Sequence, residues 1–251
     1  IMRIALVGTG RTGSAVGELA GRSEEHEVTA RFDSDRPLLQ AEGPEDLGGA
    51  DVAIDFSLPE LALDHIERYA EWEIQAVIGT TGWYEELDRV KRWVEGREVG
   101  MLYAPNFSVG IALLRRALGS ILPLLDELGA YDGYIHETHH RGKVDSPSGT
   151  ALAIAEEVVE GLARKARIET ETQHGAIDAE DLHVSSTRAG EVVGEHEVVF
   201  DSLFDSLTFA HSAKSREGFA HGALRSAEWI RGRRGLYTLD DMFDDWLDAA
   251  N

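Results

Sequence analysis

Apolar residues in the first part of the chain come in short runs, at 3–7, 28–32, 52–56, 76–78 and 101–103, each bounded by turn residues. The stretches between several of them repeat differently. Leu61, Leu63, Ile66 and Tyr69 share a helical face, as do Trp83, Leu87, Val90 and Val94. Short buried strands alternating with amphipathic helices predict βαβ units and a parallel sheet.

The pattern changes after Asn106-Phe107-Ser108. An apolar helix is predicted over 111–128, kinked or split near Pro123. An extended segment follows at 134–140, then a helix that opens at Ser148-Gly149-Thr150 and runs to about Lys165. Three strands are expected between 182 and 213, where Val198 pairs in period two with Phe200 and Leu207 with Phe209. They read as an antiparallel sheet with one face packed and the other open. Helices return at 218–230 and 239–247.

Val7-Gly8-Thr9-Gly10-Arg11-Thr12-Gly13 follows the first apolar run and opens a helical stretch. In that context the three glycines have separate tasks: Gly8 turns the chain, Gly10 lets backbone approach a pyrophosphate, and Gly13 lets helix pack on strand. The free N–H groups at the helix start favour an anion. Asp33 ends the second apolar run, where a carboxylate binds the hydroxyl pair of an adenosine ribose. Its charge repels a 2′-phosphate and, with Asp35, leans toward NADH; Arg36 keeps NADPH open. The expected fold is therefore α/β. It has a Rossmann-type parallel-sheet dinucleotide-binding domain (1–108 and 217–251) and a smaller α+β domain with a mainly antiparallel, open-faced sheet (109–216).

Composition narrows the partners. Acidic residues outnumber basic ones 46 to 24, a net charge of −22, which argues against nucleic acid and anionic membranes. No run is long and apolar enough for a membrane span. The opening run is broken too soon by Gly8 for a signal peptide, so a cytoplasmic protein is expected. Cysteine is absent, which leaves redox chemistry to a bound cofactor.

Against that acidic background, residues 136–150 stand apart: three of the ten histidines (His136, His139, His140), then Arg141 and Lys143. Ser148 is a good helix N-cap, and Gly149 and Thr150 would present backbone N–H groups in the first turn. With Lys143 nearby, such a terminus is a carboxylate receptor. Histidine exchanges protons near neutral pH. Capping alone, solvated histidines and a zinc site are the competing readings of the same residues. On a strand His136 and His140 share a face and His139 points away, and there is no helical H-E-x-x-H, so no metal is expected.

The stretch from Glu137 to Ala151, E-T-H-H-R-G-K-V-D-S-P-S-G-T-A, resembles the signature of the dihydrodipicolinate reductase family. Ile54-Asp55-Phe56-Ser57, Gly79-Thr80-Thr81-Gly82, Ala104-Pro105-Asn106-Phe107-Ser108, Arg188-Ala189-Gly190, Gly194-Glu195-His196 and Ser215-Arg216 extend the likeness over the chain. The resemblance implies an NAD(P)H-dependent reductase of a small dicarboxylate in lysine and diaminopimelate biosynthesis, commonly tetrameric through the second sheet. It implies that His139 exchanges the proton, with Lys143 as a second donor that also pairs with a carboxylate. His140, Ser148, Gly149 and Thr150 would then hold the ring acid. Gly8, Thr9, Gly10, Arg11, Thr12, Gly13, Asp33, Gly79, Thr80, Thr81, Ala104, Pro105, Asn106 and Phe107 would cradle the dinucleotide, with Phe56 at its nicotinamide end. The chain departs from many members in a shorter glycine loop and in Thr12, where methionine is common.

Overall fold

Ile4, Ala5, Leu6 and Val7 are buried in succession, as a strand covered on both faces requires. The computed structural model describes residues 1–250 and divides the chain into two compact units, Ile1–Val109 with Arg216–Asn251, and Gly110–Ser215.

In the first unit, β1 (Met2–Val7), β2 (His26–Phe32), β3 (Val52–Asp55), β4 (Gln75–Ile78) and β5 (Gly100–Tyr103) are the five expected strands. Helices α1 (Arg11–Gly21), α2 (Ala62–Glu71) and α3 (Leu87–Val94) lie between them in sequence. A sixth strand, Gly235–Tyr237, comes from the far end of the chain and pairs with β5; its three residues are too few to carry a periodicity. All five ladders are parallel. β1 lies between β2 and β3, so the chain leaves it in opposite directions. Doubly wound sheets bind ligands at such a reversal, beyond the carboxyl ends of the strands.

The second unit begins within α4 (Val109–Leu128), a single helix that carries Pro123 inside it. Pro123 and Gly119, whose carbonyl loses its partner, are both exposed, so water can replace the missing bond. There follow β6 (Asp132–His139), α5 (Gly149–Gly161), β7 (Arg167–Glu169), β8 (Asp181–Arg188), β9 (Gly194–Asp201) and β10 (Ser206–Ala213). Helix α5 stops short of Lys165. The Lys165 ammonium is buried among the carbonyls of Ala179 (3.0 Å) and Asp181 (2.7 Å) and the Asp132 carboxylate (2.6 Å).

Strand order is β10-β9-β6-β8-β7. β9 runs antiparallel to both β10 and β6, whereas β6–β8 and β8–β7 are parallel, so the sheet is mixed. Consecutive β8 and β9 are not neighbours: β6 lies between them, because the crossover through α5 returns the chain parallel to β6. Leu118, Leu122 and Leu125 of α4 and Ile154 and Val158 of α5 cover one face, packing on Ile135, Leu182, Val184, Val198 and Phe200. The chain closes in the first unit with α6 (Glu217–Ile230), β11 (the Gly235–Tyr237 strand) and α7 (Leu239–Ala250).

Candidate functional site

Gly8 leaves β1 at φ +83°, and a Cβ there would lie 2.4 Å from the Phe56 carbonyl oxygen. One on Gly13 would lie 1.8 Å from the carbonyl oxygen of Gly8. Both positions are therefore closed to any side chain. Around Gly10, by contrast, nothing stands within 4 Å of a built Cβ, and no side chain caps α1. The turn is tight where helix meets strand and open where a ligand would approach.

The open side faces a cleft of about 560 Å³ within the first unit. Gly10, Arg11 and Thr12 form one wall, and Phe56, Gly79, Thr80 and Thr81 another, with Arg216 and Phe219 from the chain's return. Asp33, which does not line the cleft, accepts hydrogen bonds from Thr9 Oγ1 of the glycine turn (3.2 Å) and from the N–H groups of Asp35 (2.9 Å) and Arg36 (3.1 Å). The N–H groups of Arg36 and Asp35, with Thr9, hold its carboxyl below the ordinary range. Ala104, Pro105, Asn106 and Phe107 do not line the cleft; Phe107 is buried and meets the Phe56 ring edge-on at 5.8 Å.

A hub beneath this cleft has no counterpart in the sequence reading. The buried Asp55 carboxylate accepts from Tyr69 Oη (2.7 Å), His65 Nδ1 (2.9 Å), Ser57 N (2.9 Å) and Thr80 Oγ1 (3.1 Å). Burial raises its proton affinity, but the bonds from His65, Ser57 and Tyr69 outweigh it and keep the group ionised. The loops after β3 and β4, which supply Phe56 and Thr80, are thus tied to one anion.

In the second unit the alternation of β6 turns Gly133, Ile135, Glu137 and His139 toward the packed face. His136 points the other way and bonds Ser185 Oγ at 2.8 Å. Register brings His196 of β9 opposite Glu137, and His211 of β10 opposite His196. The His139 and His196 rings meet edge-on at 5.2 Å. Glu137 is wholly buried; one carboxylate oxygen contacts His139 Nδ1, and the other accepts from Arg188 Nη2 at 2.7 Å and from Ser148 N at 3.3 Å. Arg188 also donates to the Asp145 carbonyl at 2.7 Å.

Burial alone would raise the Glu137 carboxyl, but Arg188 and His139 bring it down to about 2. Burial holds His139 below the usual imidazole range; Glu137 pulls it up, while Lys143 and Arg188 push it down. His196 falls to about 4, from burial and the neighbouring His139.

Ser148 caps α5 through Ala151 N at 3.2 Å, and the first turn of that helix has no acidic residue. Gly149 is exposed and Thr150 half-buried. Lys143 Nζ holds both oxygens of Asp145 at 2.8 Å. His140 lies just past the end of β6, half-buried, at the start of the turn closed by Lys143 N to the His140 carbonyl (3.1 Å). The structure thus gathers His139 and Ser148 with Glu137, Arg188 and His196, and sets Lys143 on the adjoining turn. Among the described residues, no group of three or more His, Asp or Glu side chains is arranged to hold a metal ion. No helix among them is long and apolar enough to cross a membrane.

The family model described as the N-terminus of dihydrodipicolinate reductase matches residues 2–107, and that for its C-terminus matches residues 110–243. The chain belongs to the dihydrodipicolinate reductase family. It is accordingly an NAD(P)H-dependent oxidoreductase of lysine and diaminopimelate biosynthesis. Relatives named 4-hydroxy-tetrahydrodipicolinate reductase agree. That of Christiangramia forsetii is 32% identical over 97% of this chain and 98% of its own length. That of Chromobacterium violaceum is 39% identical over 78% of this chain and 74% of its own. The dipicolinate-bound dihydrodipicolinate reductase from Paenisporosarcina sp. TG-14 superposes with a TM-score of 0.78 at 25% identity, covering 95% of this chain and 97% of that one.

Proposed function

We propose that this chain reduces the dehydrated form of 4-hydroxy-tetrahydrodipicolinate to tetrahydrodipicolinate, with His139 as proton donor and Lys143 and the start of α5 as carboxylate receptors. The observation that carries the reading is one of charge. In a chain of net charge −22, cationic groups and an uncharged helix start converge around residues 139–150.

The glycine turn fits a dinucleotide on its own geometry, since Gly8 and Gly13 let backbone close up behind Gly10 and nothing obstructs Gly10 itself. When bound, the nicotinamide cofactor supplies a hydride. Gly10, Arg11 and Thr12 would hold its phosphates by backbone N–H groups, and Asp33 its adenosine ribose. The Asp33 charge selects NADH over NADPH by repelling a 2′-phosphate. Phe56, with Gly79, Thr80 and Thr81, offers an apolar wall to the nicotinamide end.

As the conjugated ring acid accepts the hydride, negative charge grows on it. The Nε2 proton of His139 neutralises that charge. Two substrate carboxylates beside the imidazole raise its proton affinity, offsetting the depression that burial causes. Lys143 takes one carboxylate by charge-assisted hydrogen bonds worth about 1.5–3 kcal/mol. To do so it releases Asp145, a partly exposed pair of the kind worth only about 0–1 kcal/mol. His140, Gly149 and Thr150 fix the ring acid's orientation.

We further propose a homotetramer built through the open face of the second sheet, where Tyr134 is 43% exposed; a monomeric mass by sedimentation at micromolar concentration would remove it. A coupled assay with the product of the preceding synthase, run with NADH and NADPH in parallel, tests the activity. Oxidation of NADH at the higher kcat/KM is expected, and no oxidation of either cofactor would overturn the proposal.

A further inference from the structure

Glu137 is the only carboxylate in contact with His139 among the contacts described above, and three features define what that contact does. First, the carboxylate is fully buried and shares its other oxygen with Arg188 Nη2 (2.7 Å) and Ser148 N (3.3 Å), so it can neither rotate freely nor pick up solvent. Second, an ionised carboxylate only accepts hydrogen bonds, so the imidazole nitrogen facing it must carry hydrogen. Third, His139 Nε2 faces Gly194 of β9, where a built Cβ would stand 2.9 Å away; the glycine leaves the space beside this nitrogen free of a side chain.

We propose that Glu137 is a positioning residue for proton transfer: with Arg188 behind it, it locks His139 in the Nδ1–H tautomer and directs Nε2 to the open position left by Gly194. The inference rests on the reading of His139 as the proton donor, and it adds which atom carries the proton and what selects it. Carboxylates orient imidazoles in the same way behind metal ions and in hydrolase triads. Here the carboxylate is itself paired with an arginine. The Glu137–Arg188 pair is neutral overall, so it fixes the tautomer without trapping a permanent imidazolium.

The charged and titratable groups facing His139 are Glu137 on its own strand, Arg188 on β8, His196 on β9 and Lys143 on the following turn. Of these only Glu137 favours the protonated ring. Removing its charge must therefore lower the proton affinity of His139, and the alkaline limb of the kcat profile should move to lower pH.

The test joins spectroscopy to kinetics. In the wild-type protein labelled with ¹⁵N-histidine, the His139 signal, assigned by its loss in His139→Gln, should report Nδ1–H with Nε2 unprotonated above the titration. An Nε2–H tautomer overturns the proposal whether or not any variant folds. Glu137→Gln should lower kcat by about 10²-fold, leave KM for NADH unchanged, and shift the alkaline limb downward. Glu137→Asp, which restores the charge, should recover the position of that limb and part of kcat. A fall in kcat with the limb unmoved would mean that Glu137 only supports the fold, and would overturn the proposal. Failure of the underlying reading has a separate signature: His139→Gln would keep wild-type turnover while the wild-type tautomer stayed Nδ1–H.

Discussion

The glycine turn of the first unit is made from backbone. Gly8, Gly10 and Gly13 act through the absence of side chains, and a single carboxylate, Asp33, marks its rim. The cluster at the end of β6 in the second unit is made from side chains: Glu137 and His139 of β6, Arg188 of β8 and His196 of β9 crowd one another, and each shifts or balances the charge of its neighbours. The difference fits the task proposed for each. Holding an invariant diphosphate needs fixed donors and close approach. Exchanging a proton needs groups whose ionisation can be tuned. The first kind of site breaks through sterics, the second through charge.

That contrast can be broken most heavily at the proposed proton donor. His139→Ala should lower kcat by about 10² to 10⁴-fold with little change in KM for NADH, measured by steady-state kinetics. Lys143→Ala should raise KM for the dicarboxylate by roughly 10- to 100-fold, the factor that one charge-assisted hydrogen bond represents, and also reduce kcat; isothermal titration with dipicolinate gives the binding part directly.

The backbone site should answer to volume alone. Gly13→Ala places a methyl 1.8 Å from the Gly8 oxygen and should destabilise the protein by about 1–3 kcal/mol. Gly10→Ala meets nothing in the protein, so its melting temperature should stay put while KM for NADH rises several-fold. Normal NADH binding by Gly10→Ala would mean that no cofactor lies against that residue.

The smallest effect sharpens the electrostatic side. His196 has a folded pKa of about 4, below its ordinary 6.5, so the unfolded chain binds more protons between those values. Stability contributed by the neutral ring is present above pH 6.5 and is lost as pH falls toward 4. One such group gives a slope of at most about 1.4 kcal/mol per pH unit. Urea denaturation at intervals through that window should show the slope in the wild type and a shallower one in His196→Phe.

Local patterns carried much of this into the sequence. The spacing of Gly8, Gly10 and Gly13 after an apolar run, and the sequence of Ser148 before Gly149, depend only on neighbours along the chain. Glu137 was within reach, since a residue two before His139 on a strand shares its face. Arg188, His196 and His211 were not, because only the register of β6 with β8 and β9, and of β9 with β10, brings them together. The parallel pairing of β6 with β8 was equally hidden, since consecutive strands more often neighbour one another. Asp55 falls within the predicted run 52–56, with nothing local to mark it as a hub; that role needs Tyr69, His65 and Thr80 folded around it.

The bond between Lys143 and Asp145 has a kinetic side. An anion two residues away on the same turn is a tethered competitor, present at high effective concentration however dilute the medium. In the role proposed for Lys143, an incoming acid has to displace that anion, which weakens apparent affinity by a constant factor. In that role the same tether would recapture the ammonium once a product carboxylate left, so departure would not strand a bare cation. The pairing would thus favour turnover over tight capture of the proposed dicarboxylate.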